Sequence, residues 1–321
     1  MLISRRQLLA STALAMFAAW APATHAQDKP ITIVVGSPAG GTTDALARVI
    51  ARSMGDTLHR TVVVDNRPGA GGNIAAQYVA RSVPDGSTLL MSFTGHTINA
   101  SLYKNLPFDA VKDFTPITMV ARVPSVLVAR KNAPFDTTAG LVDYAKRNPG
   151  KLSFAIGAQG SSLHLASEQF KLQTGTDILN IPYKGTNPAL TDLLGGTVDL
   201  MFASTVNVLP HAKSGALKIL GVSSKEPLPQ FPGVPAIAST VKGFESSAWF
   251  GLFGPAKLPP AVTEQLYRAV KIAVEAPAYK QRMEAEAATA VSMTPPAFAQ
   301  FVRSDIQHWA RVIQASGTKV E

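Results

Sequence analysis

Apolar residues in this chain gather in short runs closed by Gly, Pro or Asp, and between those runs they recur every three to four positions. The runs are Ile31 to Val35, Val62 to Asp65, Leu89 to Ser92, Ser125 to Ala129, Leu152 to Ile156, Ile178 to Pro182, Leu200 to Ala203 and Lys218 to Val222. Short apolar runs bounded by turn formers read as strands. Helical spacing fills Asp44 to Met54, Asn73 to Arg81, Leu141 to Arg147, Leu163 to Leu172 and Pro188 to Leu194. Strands alternating with helices predict an α/β fold with parallel, doubly wound sheets.

There are too many strands, over too long a chain, for one sheet. The strand-rich blocks before about Arg122 and after about Arg130 predict two similar lobes, since one core usually becomes two near this length. Met119 to Val128 would carry the chain across and Gly243 to Pro255 would carry it back. The expected lobes are residues 27–124 with 250–321, and residues 125–249. From Pro260 to Val320 the pattern is helical only, with starts at Pro260, Pro277 and Pro295.

The first 26 residues do not fit this alternation. Arg5 and Arg6 precede an apolar run from Leu8 to Trp20, and Thr24 and Ala26 sit at the two recognition positions of a small-residue cleavage site. The run falls short of the roughly 20 residues a spanning helix needs. It predicts a cleaved export signal, of the general secretory or the twin-arginine type, and a periplasmic mature protein starting near Gln27. The chain has no cysteine, which excludes a lipobox anchor, disulfides and thiolate chemistry.

The formal charge is +9, and without Arg5 and Arg6 it is +7, from 28 basic and 21 acidic residues. The cations are scattered, so nucleic acid is not an expected partner.

Two turns carry candidate chemistry. After the first strand come Gly36, Ser37, Pro38, Ala39, Gly40, Gly41, Thr42, Thr43 and Asp44, opening a helix. Glycines let several N–H groups converge, and a helix N-terminus adds partial positive charge, so such a turn cradles an anion. It lacks the Gly-Lys-Ser/Thr of a P-loop and the spacing of a dinucleotide fingerprint, which favours a carboxylate over a phosphate. Read as a plain turn, it would have Thr42 or Thr43 as helix N-cap. The second turn, Gly157 to His164, has Gly160, Ser161 and Ser162 at a helix start in the other lobe. Facing each other, the two turns would grip one carboxylate from both sides or a dicarboxylate at both ends.

Other motifs are weaker. His164 and Glu168 lie four apart on one helix and lack a third ligand nearby, so a hydrogen-bonded pair is expected and no metal site. Ser161 and Ser162 lack the G-x-S-x-G elbow of a hydrolase. Asp65 to Asn73 could also receive an anion, with Arg67 as a charged donor. One lobe rarely needs two cradles, so it reads as a rigid Pro-Gly turn with Arg67 paired to an acid such as Asp65 or Asp85. No cofactor is expected.

Taken in order, GSPAGGTTD (36–44), VDNRPGAGGNIAA (64–76), PDGSTLL (84–90), GSSLHLASEQF (160–170), IPYKGTNPALTDLLGGTVDLMF (181–202) and WFGLFGPAKLP (249–259) resemble the Bug or TctC family. These are extracytoplasmic receptors of tripartite tricarboxylate transporters. The resemblance implies a type II periplasmic-binding-protein fold that closes around a small carboxylate, catalyses no reaction, works as a monomer and delivers its ligand to membrane transporter subunits. It places the ligand grip on Ser37 to Thr42 and Gly160 to Ser162. It adds contributions from Phe93 to Thr97, notably Thr94 and Thr97, from Lys184 to Asn187, including Thr186 and Asn187, and from Asp199 to Thr205, including Asp199 and Ser204. Ser37 stands where many relatives have Tyr or Phe, and Ser87 where many have Tyr, the latter a structural position. An exported hydrolase of acidic esters and an accessory to a membrane sensor remain open as alternatives.

Overall fold

A computed structural model describes residues 29–285 and 287–319, so the expected signal at residues 1–26 lies outside the described residues. Strand β1 (Ile31–Val35) feeds helix α1 (Thr42–Leu58), β2 (Val62–Asn66) feeds α2 (Asn73–Ala80), and β3 (Thr88–Phe93) feeds α3 (Gly95–Leu102). A long strand, β4 (Phe114–Arg130), leads to α4 (Thr138–Arg147). The alternation then repeats through β5 (Ser153–Ile156), α5 (Ser162–Thr174), β6 (Leu179–Pro182), α6 (Thr186–Gly195), β7 (Leu200–Ser204), α7 (Thr205–Lys213) and β8 (Leu217–Val222). The chain returns by β9 (Ser247–Pro255) to α8 (Pro260–Glu275), α9 (Pro277–Ala285), β10 (Thr289–Ala290) and α10 (Pro295–Ser316).

The pairings give two sheets built on one plan. In the first, β2, β1 and β3 are parallel, and β9 runs antiparallel to both β3 and β4. In the second, β6, β5 and β7 are parallel, and β4 runs antiparallel to both β7 and β8. Strand β4 belongs to both: Phe114 to Pro124 pair with β9, whereas Ser125 to Arg130 pair with β7 and β8. The return strand pairs within the first sheet from Ser247 onward.

Period-two alternation sets the cores. Ile31, Ile33 and Val35 bury one face of the first sheet against Leu46, Ile50 and Met54 of α1 and Leu266 and Val270 of α8. Val34 and Leu90 bury the other face against Ala75 and Val79 of α2 and Phe298 and Val302 of α10. The second sheet divides likewise, with Leu127, Phe154 and Phe202 on the α5 side and Val126, Met201 and Ala203 on the α6 side. A fifth cluster joins the two halves: Leu165 of α5 packs among Ile98 and Leu102 of α3 and Trp309, Val312 and Ile313 of α10.

The expected strands and helices are present, and the three C-terminal helices begin at the expected prolines. The first half of β4, α3, α7, β9 and β10 were not expected as strands or helices. Pro116, Arg122 and Pro124 interrupt the apolar pattern of β4, and Pro210 lies inside α7. The sheets are also mixed rather than wholly parallel, because the crossing and returning strands run against the others. No helix among the described residues is long and apolar enough to cross a membrane.

Candidate functional site

Both candidate turns sit at the carboxyl end of the first of the parallel strands in their sheet, and both are built around one glycine. Gly40 (φ +83°) and Gly160 (φ +74°) adopt left-handed backbone that a β-carbon would strain. Each donates its N–H to a helix side chain four residues on: Gly40 to Asp44 Oδ2 at 2.9 Å, and Gly160 to His164 Nδ1 at 3.0 Å.

Behind the first turn, Asp44 accepts from Arg48 Nε at 3.0 Å, and Arg48 Nη2 donates to Asn66 Oδ1 at 3.2 Å. Asn66 Nδ2 donates back to the carbonyl of Ser37 at 3.1 Å. This circuit fixes both ends of the turn. The Arg48 guanidinium is the largest influence holding the Asp44 carboxyl at about 2, well below the usual carboxylate range. Gly36 permits the close packing beneath, because a β-carbon there would lie 2.8 Å from Gly72 Cα.

Behind the second turn, His164 Nδ1 is an acceptor, so the ring proton sits on Nε2, which faces Glu168 Oε1 at 3.4 Å. Lys171 Nζ lies 2.9 Å from the same carboxylate, and Asn180 donates to it. Burial alone would raise the Glu168 carboxyl, but the bonds from His164, Lys171 and Asn180 outweigh it and hold it down at about 2. Gly157 packs on the backbone of Gly185 and Thr186, repeating the Gly36–Gly72 contact of the first half.

The helix entrances differ. Gly41 is the N-cap of α1, and no side chain caps that first turn, so Thr42 or Thr43 as N-cap is corrected. Ser161 caps α5, its hydroxyl oxygen accepting from His164 N–H at 3.2 Å. An uncapped entrance keeps its orphan N–H donors for an anion.

Two cavities adjoin these entrances. One, of about 150 Å³, brings together the hydroxyl-bearing residues Thr42, Ser162 and Ser204 with Ser125 and Ser246 where the strands cross between sheets. Val123, Pro124, Leu163, Ala248 and Phe250 complete its walls. The other, of about 250 Å³, lies between α3 and the second turn, with Gly160, Ser161 and Ser162 on one side and Phe93, Ile98 and Tyr103 on the other. Ser162 lines both.

Of the expected site residues, Thr42, Gly160, Ser161, Ser162 and Ser204 line these cavities. Ala39, Gly40 and Gly41 are exposed in the turn leading to Thr42, and Ser37 Oγ in the same turn is buried with no hydrogen-bond partner among the described residues. Asp44 and His164 are buried braces of the turns, not cavity walls. Thr186 and Asn187 begin α6 beside Gly157, outside both cavities.

Three expected site residues are bonded within the fold and line neither cavity. Thr94 Oγ1 is buried and accepts from Trp249 N–H at 2.8 Å. Thr97 is fully buried, donating to Asp305 Oδ2 at 2.6 Å. Asp199 precedes β7, at the end opposite Ser204, where it pairs with Arg130 at 2.8 Å and accepts from Ser153. Arg67 pairs with Asp65 at 2.7 Å, as expected, and also stacks on Tyr78, and Ser87 is engaged with Asp85.

Sequence reasoning missed Gly71, Ile98, Asn99, Leu102, Tyr103, Val123, Pro124, Ser125, Ser246, Ala248 and Phe250 as cavity residues. The Asp65–Asn73 cluster carried a signal for Gly71, but one cradle per lobe had been expected. Ser125 follows a proline inside an apolar run, a visible break where the strand changes sheets.

The family profile described as "Tripartite tricarboxylate transporter family receptor" (TctC) matches residues 46–318. The chain belongs to this family. Its members are solute-binding receptors and not enzymes. BugT of Bordetella pertussis (strain Tohama I) is 38% identical over 296 residues, covering 91% of this chain and 91% of BugT. The solved structure of the periplasmic binding protein BugD is 35% identical, with a TM-score of 0.74, covering 92% of this chain and 99% of BugD. That of R. palustris Rpa4515 with adipate is 33% identical, with a TM-score of 0.76, covering 90% of this chain and 98% of that protein. This TctC-family chain thus has the mixed α/β periplasmic-binding-protein fold.

Proposed function

We propose that the protein is a periplasmic receptor that captures a small carboxylate between two lobes and delivers it to the membrane subunits of a tripartite tricarboxylate transporter. The lobes are residues 29–124 with 247–319, and residues 125–246, hinged where β4 and β9 leave the first sheet. The reading is carried by the cavity that holds Thr42 of one turn and Ser162 of the other with the crossing strands between them. Thr42 at an uncapped helix entrance meets Ser162 and Ser204 there among apolar walls, a few polar groups of the kind that orient a carboxylate in a largely apolar site. The adipate seen with Rpa4515 supports the ligand class. Ligands of this class are di- or tricarboxylates, acidic amino acids and aromatic acids.

Ligand contacts to both lobes favour the closed form, because only differential affinity shifts such an equilibrium. The test is thermal unfolding of the mature protein against mono-, di- and tricarboxylates. A ligand at a hundredfold excess over its dissociation constant stabilises by about 2.7 kcal/mol and is recovered unchanged after denaturation. Failure of every acid to stabilise, or recovery of a converted product, would overturn the reading.

A further inference from the structure

The 250 Å³ cavity is the larger of the two and is walled on one side by aromatic and aliphatic side chains. Its far walls are Phe93, Ile98, Leu102 and Tyr103, and no charged side chain lines it. Its amide side chains are already engaged: Asn99 Nδ2 donates to Gly71 O at 3.1 Å and Asn73 Oδ1 at 2.8 Å, and Gln159 Nε2 donates to Lys319 O at 2.7 Å. The Phe93 ring is held in place by two glycines. A β-carbon on Gly72 would lie 3.1 Å from it, and one on Gly95 would lie 2.6 Å away. The ring therefore forms a preset wall rather than a mobile side chain.

We infer that this chamber is the specificity subsite for the carbon body of the ligand, and that the preferred ligand is an acid carrying an uncharged aromatic ring. The inference rests on the carboxylate-receptor reading above and narrows it. With one carboxylate at the Ser162 junction, the rest of the molecule extends between Phe93 and Tyr103. An apolar cavity of about 150 Å³ suffices for benzene, so this one accommodates a ring with its linking atoms. Aromatic walls favour stacked or edge contacts with such a ring. A second carboxylate pushed into the chamber would lose its hydration and find no cation.

The test is calorimetric titration of the mature protein with benzoate and with succinate, repeated on Phe93→Ser. Benzoate binds the native protein at least tenfold more tightly than succinate, since the ring adds several buried carbons. In Phe93→Ser the benzoate affinity falls at least tenfold and the succinate affinity changes less than threefold. Should that variant fail to fold, Tyr103→Ala, a half-buried wall residue, is expected to act in the same direction. Tighter binding of succinate than benzoate, or equal weakening of both by the variant, overturns the aromatic assignment and leaves the receptor reading standing. Binding of neither these two nor any acid of the wider series overturns both.

Discussion

In the turn after β1, the Gly40 amide is held by the Asp44 carboxylate, which an arginine on the outer surface balances. In the turn after β5, the Gly160 amide is held by the His164 imidazole, backed by the buried Glu168. The backbone is the same in both: a left-handed glycine, an N-cap, and a side chain four residues on that takes the glycine N–H. Geometry is what the two halves share, and the charge state of the bracing side chain is free to differ. The donors differ too. The first turn opens on an uncapped helix, whereas the second brings hydroxyls, one of them occupied as a cap.

The largest expected effect tests the uncapped entrance. Gly41 has φ −79°, and a β-carbon there would meet only Pro38 O at 3.5 Å, an ordinary contact. Gly41→Val is therefore expected to fold, losing about 1 kcal/mol as a poor N-cap, while carboxylate affinity falls at least a hundredfold. Calorimetry with denaturant unfolding on the same sample checks both. Unchanged affinity would remove the first turn from the site.

The next effect compares the braces and shows at low pH. The folded-state carboxyl of Glu168, at about 2, lies below its ordinary 4.5, so the stability it contributes is present above pH 4.5 and is lost as pH falls toward 2. A contribution of roughly 1–3 kcal/mol is expected. Acid titration of unfolding in Glu168→Gln should show a shallower decline across that window than the native protein. An identical decline would mean that the second turn is not braced through this carboxylate.

The smallest effect separates cap from brace. Ser161→Ala should cost about 1 kcal/mol of stability through the lost cap and weaken carboxylate binding several-fold, as read by thermal unfolding and calorimetry. Loss of stability with no change in affinity would assign Ser161 a capping role alone.

Much of this was legible in the sequence. The run Ile31 to Val35, closed by Gly36, and the Thr-Thr-Asp opening of α1 announce a strand, a turn and a helix through local chemistry alone. The second turn is announced in the same way by Gly157 to Ser162. Other features depended on tertiary context. Position along a strand separates Ser204 from Asp199, and only the pairing of Asp199 with Arg130 and Ser153 reveals that it faces away from the cavities. Thr94 and Thr97 look like loop hydroxyls until α3 forms and Trp249 and Asp305 claim them. The apolar chamber is drawn from α3, β3 and the second turn, which no local pattern connects.

The strand common to both sheets has a mechanical consequence. At its changeover, Pro124 has no N–H to give, and the amide of Ser125 is bonded at 2.7 Å to the hydroxyl of Ser223. Ser223 N–H returns a bond to the Ser125 carbonyl at 2.9 Å, and Ser246 N–H donates to the Ser223 carbonyl at 3.1 Å, so three serines rivet the changeover of β4 to the end of β8 and to the start of the return strand.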